Sequence, residues 1–136
     1  MYVQPYVHFD GRCEEAIEFY KKALGAHVEM LMRYKDSPDP QTAQHMPPGA
    51  ENKVMHASVK IGDTTVGMSD GMCGGTPSFD GFSLTLIPTT TAEAEKYFAA
   101  LSEGGQVQMP MSEAFWGGYF GSFVDRFGIN WLINAE

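Results

Sequence analysis

The apolar positions of this chain change their period in a set order, and the same order then recurs. In "VQPYVHF", residues 3 to 9, Val3, Pro5, Val7 and Phe9 alternate with Gln4, Tyr6 and His8, the period of a half-buried strand. "EAIEFYKKALGAHV" (15 to 28) has the longer period of an amphipathic helix, with Asp10 placed to cap it and Gly25 to stop it. Strands follow in "HVEMLMRYK", "KVMHASVKI" and "TTVGMS", the last two joined at the hairpin signal Gly62-Asp63. The second half repeats this. "FSLTLI" leads into a helix in "EAEKYFAALSEGGQV" (93 to 107), capped by Thr90 or Thr91 and stopped at Gly104. "QVQMPM", "GYFGSFVDRF" and "INWLIN" follow, with Gly128 at the last bend.

The two helices match position by position: Glu15 with Glu93, Ala16 with Ala94, Phe19 with Tyr97, Tyr20 with Phe98. The order is therefore βαβββ twice within one domain, 1–136. The first unit covers about 1–70, the glycine-rich linker "DGMCGGTPSFDG" supplies about 71–80, and the second unit covers about 81–136. The proline-rich "SPDPQTAQHMPPGAEN" (37 to 52) reads as a loop over a cavity mouth.

Composition narrows the function classes. With 136 residues, 43% hydrophobic and 19% charged, the chain is an ordinary globular mixture able to bury one core. A net charge of −8 and the lack of any Lys/Arg cluster repel a polyanion, so nucleic acid is not an expected partner. No apolar run is long enough to cross a bilayer, so no membrane partner is expected, and "MYVQPYVHFDG" has none of the features of a signal peptide. Two cysteines, Cys13 and Cys73, make neither a CxxC site nor a disulfide framework, which points to a reducing cytoplasm.

Tandem βαβββ units, together with "PYVHFDGRCEEAIEFYKKALGA", "VMHASVKIGDTTVGMSD" and "SEAFWGGYFGSFVDRFGINWLIN", make the chain resemble the PhnB-like branch of the vicinal oxygen chelate superfamily. That superfamily includes glyoxalase I, fosfomycin- and bleomycin-resistance proteins and extradiol dioxygenases. The resemblance implies an α+β fold in which two tandem βαβββ units form a curved mixed sheet around a cavity, with helices on the convex side. Members are sometimes labelled 3-demethylubiquinone methyltransferases. This chain has no glycine-rich nucleotide loop and is short for a dinucleotide-type fold plus a substrate site.

On that fold, strand alternation sorts the side chains. Val3, Pro5, Val7 and Phe9 should meet the helices, as should Met55, Ala57, Val59 and Ile61, which leaves Gln4, Tyr6, His8, His56 and Ser58 on the cavity side. In the final hairpin Phe120, Phe123, Trp131 and Ile133 read as packing, with Asp125 and Arg126 near its exposed end. Glu113 and Trp116 stand at a strand mouth in a segment too irregular for a plain ladder, and a carboxylate desolvated by aromatics suits a general base. The candidate site is therefore Glu113 and His56 as catalytic groups, with Gln4, Tyr6, His8, Ser58 and Trp116 binding substrate.

The resemblance also implies a divalent ion on four strand positions. Carried over one by one, these fall on Gln4 or Pro5, on Val66, Gly67 or Met68, on Ser83 or Phe82, and on Leu132 or Trp131. Only Gln4 is a good donor where three are needed, so no metal and no cofactor is expected. A displaced set of His8, His56 and Glu113 is the alternative. Two functions stay open: an enzyme acting on a small substrate, and a metal-free protein that binds or sequesters a ligand. The resemblance further implies a homodimer.

Overall fold

The computed structural model describes residues 1–71, 73 and 77–136; of the expected linker, Met72, Gly74, Gly75 and Thr76 lie outside the described residues. The fold is α+β: two four-stranded mixed sheets and three helices, in compact units spanning Met1–Pro77 and Ser78–Glu136. No helix among the described residues is long and apolar enough to cross a membrane.

The first unit runs β1 (Tyr6–His8), α1 (Cys13–Leu24), β2 (His27–Arg33), a 3-10 turn (Tyr34–Asp36), α2 (Pro40–His45), β3 (Val54–Ile61) and β4 (Thr64–Ser69). Its sheet has the order β1-β4-β3-β2, with β1 parallel to β4 and the other pairs antiparallel. Ile61 pairs with Thr64, so Gly62-Asp63 is the two-residue hairpin that the dipeptide predicts, and Gly62 takes the positive φ of 59° such a turn needs. α1 buries Cys13, Ala16, Ile17 and Tyr20, which with Val7, Phe9, Val54, Ala57, Val59 and Met68 form the core.

Two expectations fail here. The first strand is short: Val3 is 96% exposed and Pro5 only half-buried, because proline has no N–H to carry the ladder past Tyr6. Val54 is fully buried although strict alternation would place it on the face of His56, because a bulge separates the pairs Met32–His56 and Arg33–Val54. Asp10 does not cap α1. The chain turns through a left-handed conformation there (φ 56°), Arg12 holds the cap position without a side-chain capping bond, and Asp70 reaches in from the end of β4. Asp70 Oδ1 accepts the N–H groups of Gly11 (3.0 Å) and Cys13 (2.7 Å), while Oδ2 accepts that of Val54 (2.7 Å). The proline-rich segment also contains a helix, α2, whose capping residue Asp39 accepts the Gln41 N–H at 2.9 Å.

The second unit runs β5 (Leu84–Leu86), α3 (Thr91–Ser102), β6 (Gln106–Glu113), β7 (Tyr119–Val124) and β8 (Asn130–Ala135), with sheet order β5-β8-β7-β6 and only the β5–β8 pair parallel. Thr90 caps α3 by accepting the Glu93 N–H at 3.1 Å. The helix ends at Ser102, and Gly104 takes its left-handed turn two residues later. Phe98 meets Phe123 edge-on at 5.1 Å, and Trp131, Ile133 and Ala135 are buried on the same side of the sheet. Phe120 is only half-buried. Asp125, expected at an exposed hairpin end, is 3% exposed instead. The turn folds its carboxylate inward, where it accepts the N–H groups of Phe127 (2.9 Å) and Ile129 (3.0 Å) and the Trp131 indole (2.9 Å).

Candidate functional site

In the first sheet, strand register decides which side chains meet. Tyr6 lies opposite Gly67 and His8 opposite Ser69, while Gly67 pairs with Ser58 across β3 and Met32 with His56 across β2. Val7, Met68, Ala57 and Leu31 form the alternate row, which faces the α1 core. Tyr6, His8, His56 and Ser58 therefore share the face turned away from α1, the arrangement that alternation predicts.

On this face the Tyr6 ring lies over Gly67. A Cβ at position 67 would come within 2.4 Å of Tyr6 Cδ2 and 2.7 Å of Cε2, so only glycine lets the ring sit there. The ring stacks on His56 (centroids 5.6 Å apart, planes at 17°), and its hydroxyl hydrogen-bonds His56 Nδ1 at 2.9 Å. His8 lies 4.9 Å from the Tyr6 ring, and its Nδ1 is bonded to Ser69 Oγ at 3.1 Å. Gln4 and Ser58 stand beside this group, lining a hollow of about 570 Å³ with Tyr2, Met30 and Thr65.

Three further residues escaped the sequence reading. Ser69 is buried and orients His8. Tyr34 donates to the Gly71 carbonyl at 2.5 Å, and burial raises its hydroxyl above the usual range. Gly67 did leave a signal, since a glycine inside "TTVGMS" marks a close approach to the backbone. Gly67→Ala is expected to push the Tyr6 ring off its seat at a cost of about 1–3 kcal/mol. The measurement is the ring-to-ring nuclear Overhauser effect between Tyr6 and His56, which should vanish while the circular dichroism spectrum holds. An undiminished signal would show that the seat does not depend on glycine.

The other two candidates belong to the second unit, and the structure sets them apart. β6 pairs with β7 through two register shifts, at Val107/Met109 and Met109/Ser112, and the ladder ends where Glu113 pairs with Tyr119; Ala114–Gly118 then form the hairpin turn. Glu113 is exposed, so the desolvation expected of it does not occur. It shares the α3 side of the sheet with Tyr119, whose hydroxyl donates to Glu95 on α3 and is raised by that bond. The hollow there, about 550 Å³, is lined by Thr91, Glu95, Glu113, Tyr119 and Glu136 among others. Trp116 lies on the opposite side, edge-on to Phe120 at 5.7 Å. Glu113 ends β6 on the α3 side and Trp116, in the turn that follows, packs on the other, so the two side chains do not meet at one ligand.

The residues at the family's metal positions do not fit a divalent ion. Gly67 has no side chain, Val66 and Met68 are buried on the α1 side, and Leu132 is hydrocarbon. Among the described residues no three His, Cys, Asp or Glu side chains come together as a metal ligand set.

Comparison with known proteins gives a consistent picture. The family model described as 3-demethylubiquinone-9 3-methyltransferase matches residues 2–134. Protein YjdN of Escherichia coli K12 is 33% identical over 140 residues, covering 99% of this chain and 95% of its own. The crystal structure of protein PA1353 from Pseudomonas aeruginosa matches with a TM-score of 0.86 at 37% identity, over 100% of this chain and 98% of that one. The PhnB protein of Bacillus cereus has the same fold, with a TM-score of 0.80 at 22% identity and complete coverage of both chains.

Proposed function

The chain belongs to the 3-demethylubiquinone-9 3-methyltransferase family, as a PhnB-like member of the glyoxalase and bleomycin resistance superfamily, and from that premise we propose that it binds a small molecule at Tyr6, His8 and His56. The observation that carries this reading is the Tyr6–His56 hydrogen bond, held at 2.9 Å over the bare backbone of Gly67. The pair has two states. If the tyrosine hydroxyl donates to Nδ1, the imidazole presents an Nε2–H and the phenol oxygen presents a lone pair. If Nδ1–H donates, Nε2 becomes the acceptor and the phenol the donor. Either way a ligand meets one donor and one acceptor side by side. Gln4 and Ser58 extend the polar surface.

The test begins with native mass spectrometry of the purified protein to find a compound that copurifies, followed by calorimetric titration of that compound. Tyr6→Phe and His56→Ala should each weaken binding roughly five- to hundred-fold, since losing a polar partner costs about 1–3 kcal/mol. Wild-type affinity in both variants would sink the proposal. The same hydrogen bond favours a second reading, in which the protein is an enzyme with His56 Nε2 as base and the Tyr6 hydroxyl as acid. A substrate panel, run with and without added metal, separates the two. Turnover lost in His56→Ala at retained affinity supports the enzyme, and no turnover in the wild type supports the binding protein.

The assembly is proposed to be a homodimer. β6 is an edge strand that leaves Val107 and Met109 exposed, and such an edge calls for a partner. Sedimentation at micromolar concentration should give a species of twice the 15.0 kDa chain, and a 15.0 kDa species alone would contradict it. Two free cysteines, Cys13 and Cys73, suit the reducing cytoplasm proposed as its location.

A further inference from the structure

Beside the Tyr6–His56 pair runs a second line of hydrogen bonds, and the chemistry of its members fixes its direction. A carbonyl can only accept, so the Tyr34 hydroxyl is the donor in its 2.5 Å bond to the Gly71 carbonyl. The N–H of the same residue continues the line, donating to Ser69 Oγ at 3.2 Å. Gly71 is therefore held from both sides. It takes a positive φ of 56°, and a Cβ there would stand 3.4 Å from His8 Nδ1.

A serine hydroxyl has one hydrogen and two lone pairs. Gly71 N–H takes one lone pair of Ser69 Oγ, whose other side-chain bond among the described residues is to His8 Nδ1 at 3.1 Å. Ser69 is 2% exposed, so its hydrogen has no bulk water to turn to. Were Nδ1–H the donor, that hydrogen would be buried without an acceptor, which is costly. With the serine as donor, every group in the line is satisfied. His8 then carries its own hydrogen on Nε2, at the ring edge opposite Ser69. The His8 side chain is exposed on the face it shares with Tyr6 and His56, so this N–H is open to a ligand. The Tyr6–His56 bond can reverse its sense, whereas His8 is held in one.

We propose that Ser69 is a positioning residue that fixes His8 as a hydrogen-bond donor at Nε2, so that the ligand of this site presents an oxygen acceptor there, a carbonyl or a carboxylate, and not an N–H or an ammonium group. The ligand class rests on the reading that Tyr6, His8 and His56 bind a small molecule. The tautomer does not, because it is a property of the free protein.

Tautomers are read from two-bond nitrogen–proton correlation spectra of the imidazoles in isotope-labelled full-length protein, at about pH 9, above the ordinary imidazole range. His8 should show a protonated Nε2 and an unprotonated Nδ1. Ser69→Ala should turn this into a mixture of both tautomers at an unchanged circular dichroism spectrum, and Ser69→Thr, which keeps the hydroxyl, should restore it. A wild-type His8 with its hydrogen on Nδ1, or already a mixture, overturns the proposal whether or not the variants fold. A pure Nε2–H pattern in Ser69→Ala overturns it too. The ligand class is tested with two planar neutral probes, so that the net charge of −8 favours neither. N-methylpyridone offers only an acceptor and pyrrole only a donor. The pyridone should move the His8 Nε2 signal saturably and bind roughly tenfold more tightly than pyrrole. Equal affinities, or a His8 signal that neither probe moves, overturn the acceptor assignment. Failure of the binding reading looks different: Tyr6→Phe and His56→Ala then keep wild-type affinity while the His8 tautomer stays as expected.

Discussion

Asp70→Ala is expected to lower stability by about 3–5 kcal/mol, a large part of what a domain of this size possesses. Asp70 is 1% exposed, and its two oxygens hold three backbone N–H groups from separate places: Gly11 and Cys13 at the start of α1, and Val54 at the start of β3. The substitution leaves those donors without their carboxylate, at about 1–3 kcal/mol for each that water cannot reach. It also removes a negative charge from the positive end of the helix. Asp70→Asn should be nearly as damaging. The amide keeps one acceptor for Gly11 and Cys13 but turns an NH₂ toward the Val54 N–H, so that two donors face each other. Urea denaturation checks this. The midpoint should fall in both variants at an unchanged slope, and a midpoint near the wild type in Asp70→Asn would mean that the charge is not needed.

Trp131→Ala should cost about 3–5 kcal/mol as well, the range for deleting a large buried aromatic side chain. Trp131 is 3% exposed on the α3 side of β8, paired with Phe123 across β7, and its indole donates to the buried Asp125. The substitution opens a cavity and also removes the donor that helps hold the Asp125 turn. For a chain of this length the melting temperature should drop by roughly 10–20 °C. Ligand binding at Tyr6 and His56 should persist below the new transition. Loss of binding in Trp131→Ala at unchanged stability would mean that the two faces of the final hairpin have been read the wrong way round.

Asp70, and the Asp125 that accepts the Trp131 indole, are buried aspartates that stand in the sequence beside a linker and at a hairpin end. Composition carries no sign of their burial. Their partners do: Cys13 lies 57 positions from Asp70 in sequence, and only the pairing of β4 with its neighbours brings the carboxylate to the helix start. Glu113 and Trp116 teach the opposite lesson. They are close in sequence, but the ladder of β6 continues to Glu113 and the turn begins just after it, which sends the two side chains to opposite faces.

Local chemistry was enough for the repeated βαβββ order, the Gly62-Asp63 hairpin, the Thr90 cap and the common face of Tyr6, His8, His56 and Ser58. Each depends on a period of two or 3.6 residues, or on a side chain bonding within its own turn, and such interactions are written in adjacent positions. The tertiary structure alone decided the burial of Val54, the seat of Tyr6 on Gly67 and the close packing of Gly118 against Trp116 and Asn134. These depend on register between strands distant in sequence. One bulge shifts which atoms face each other, and nothing in the neighbouring residues records the shift.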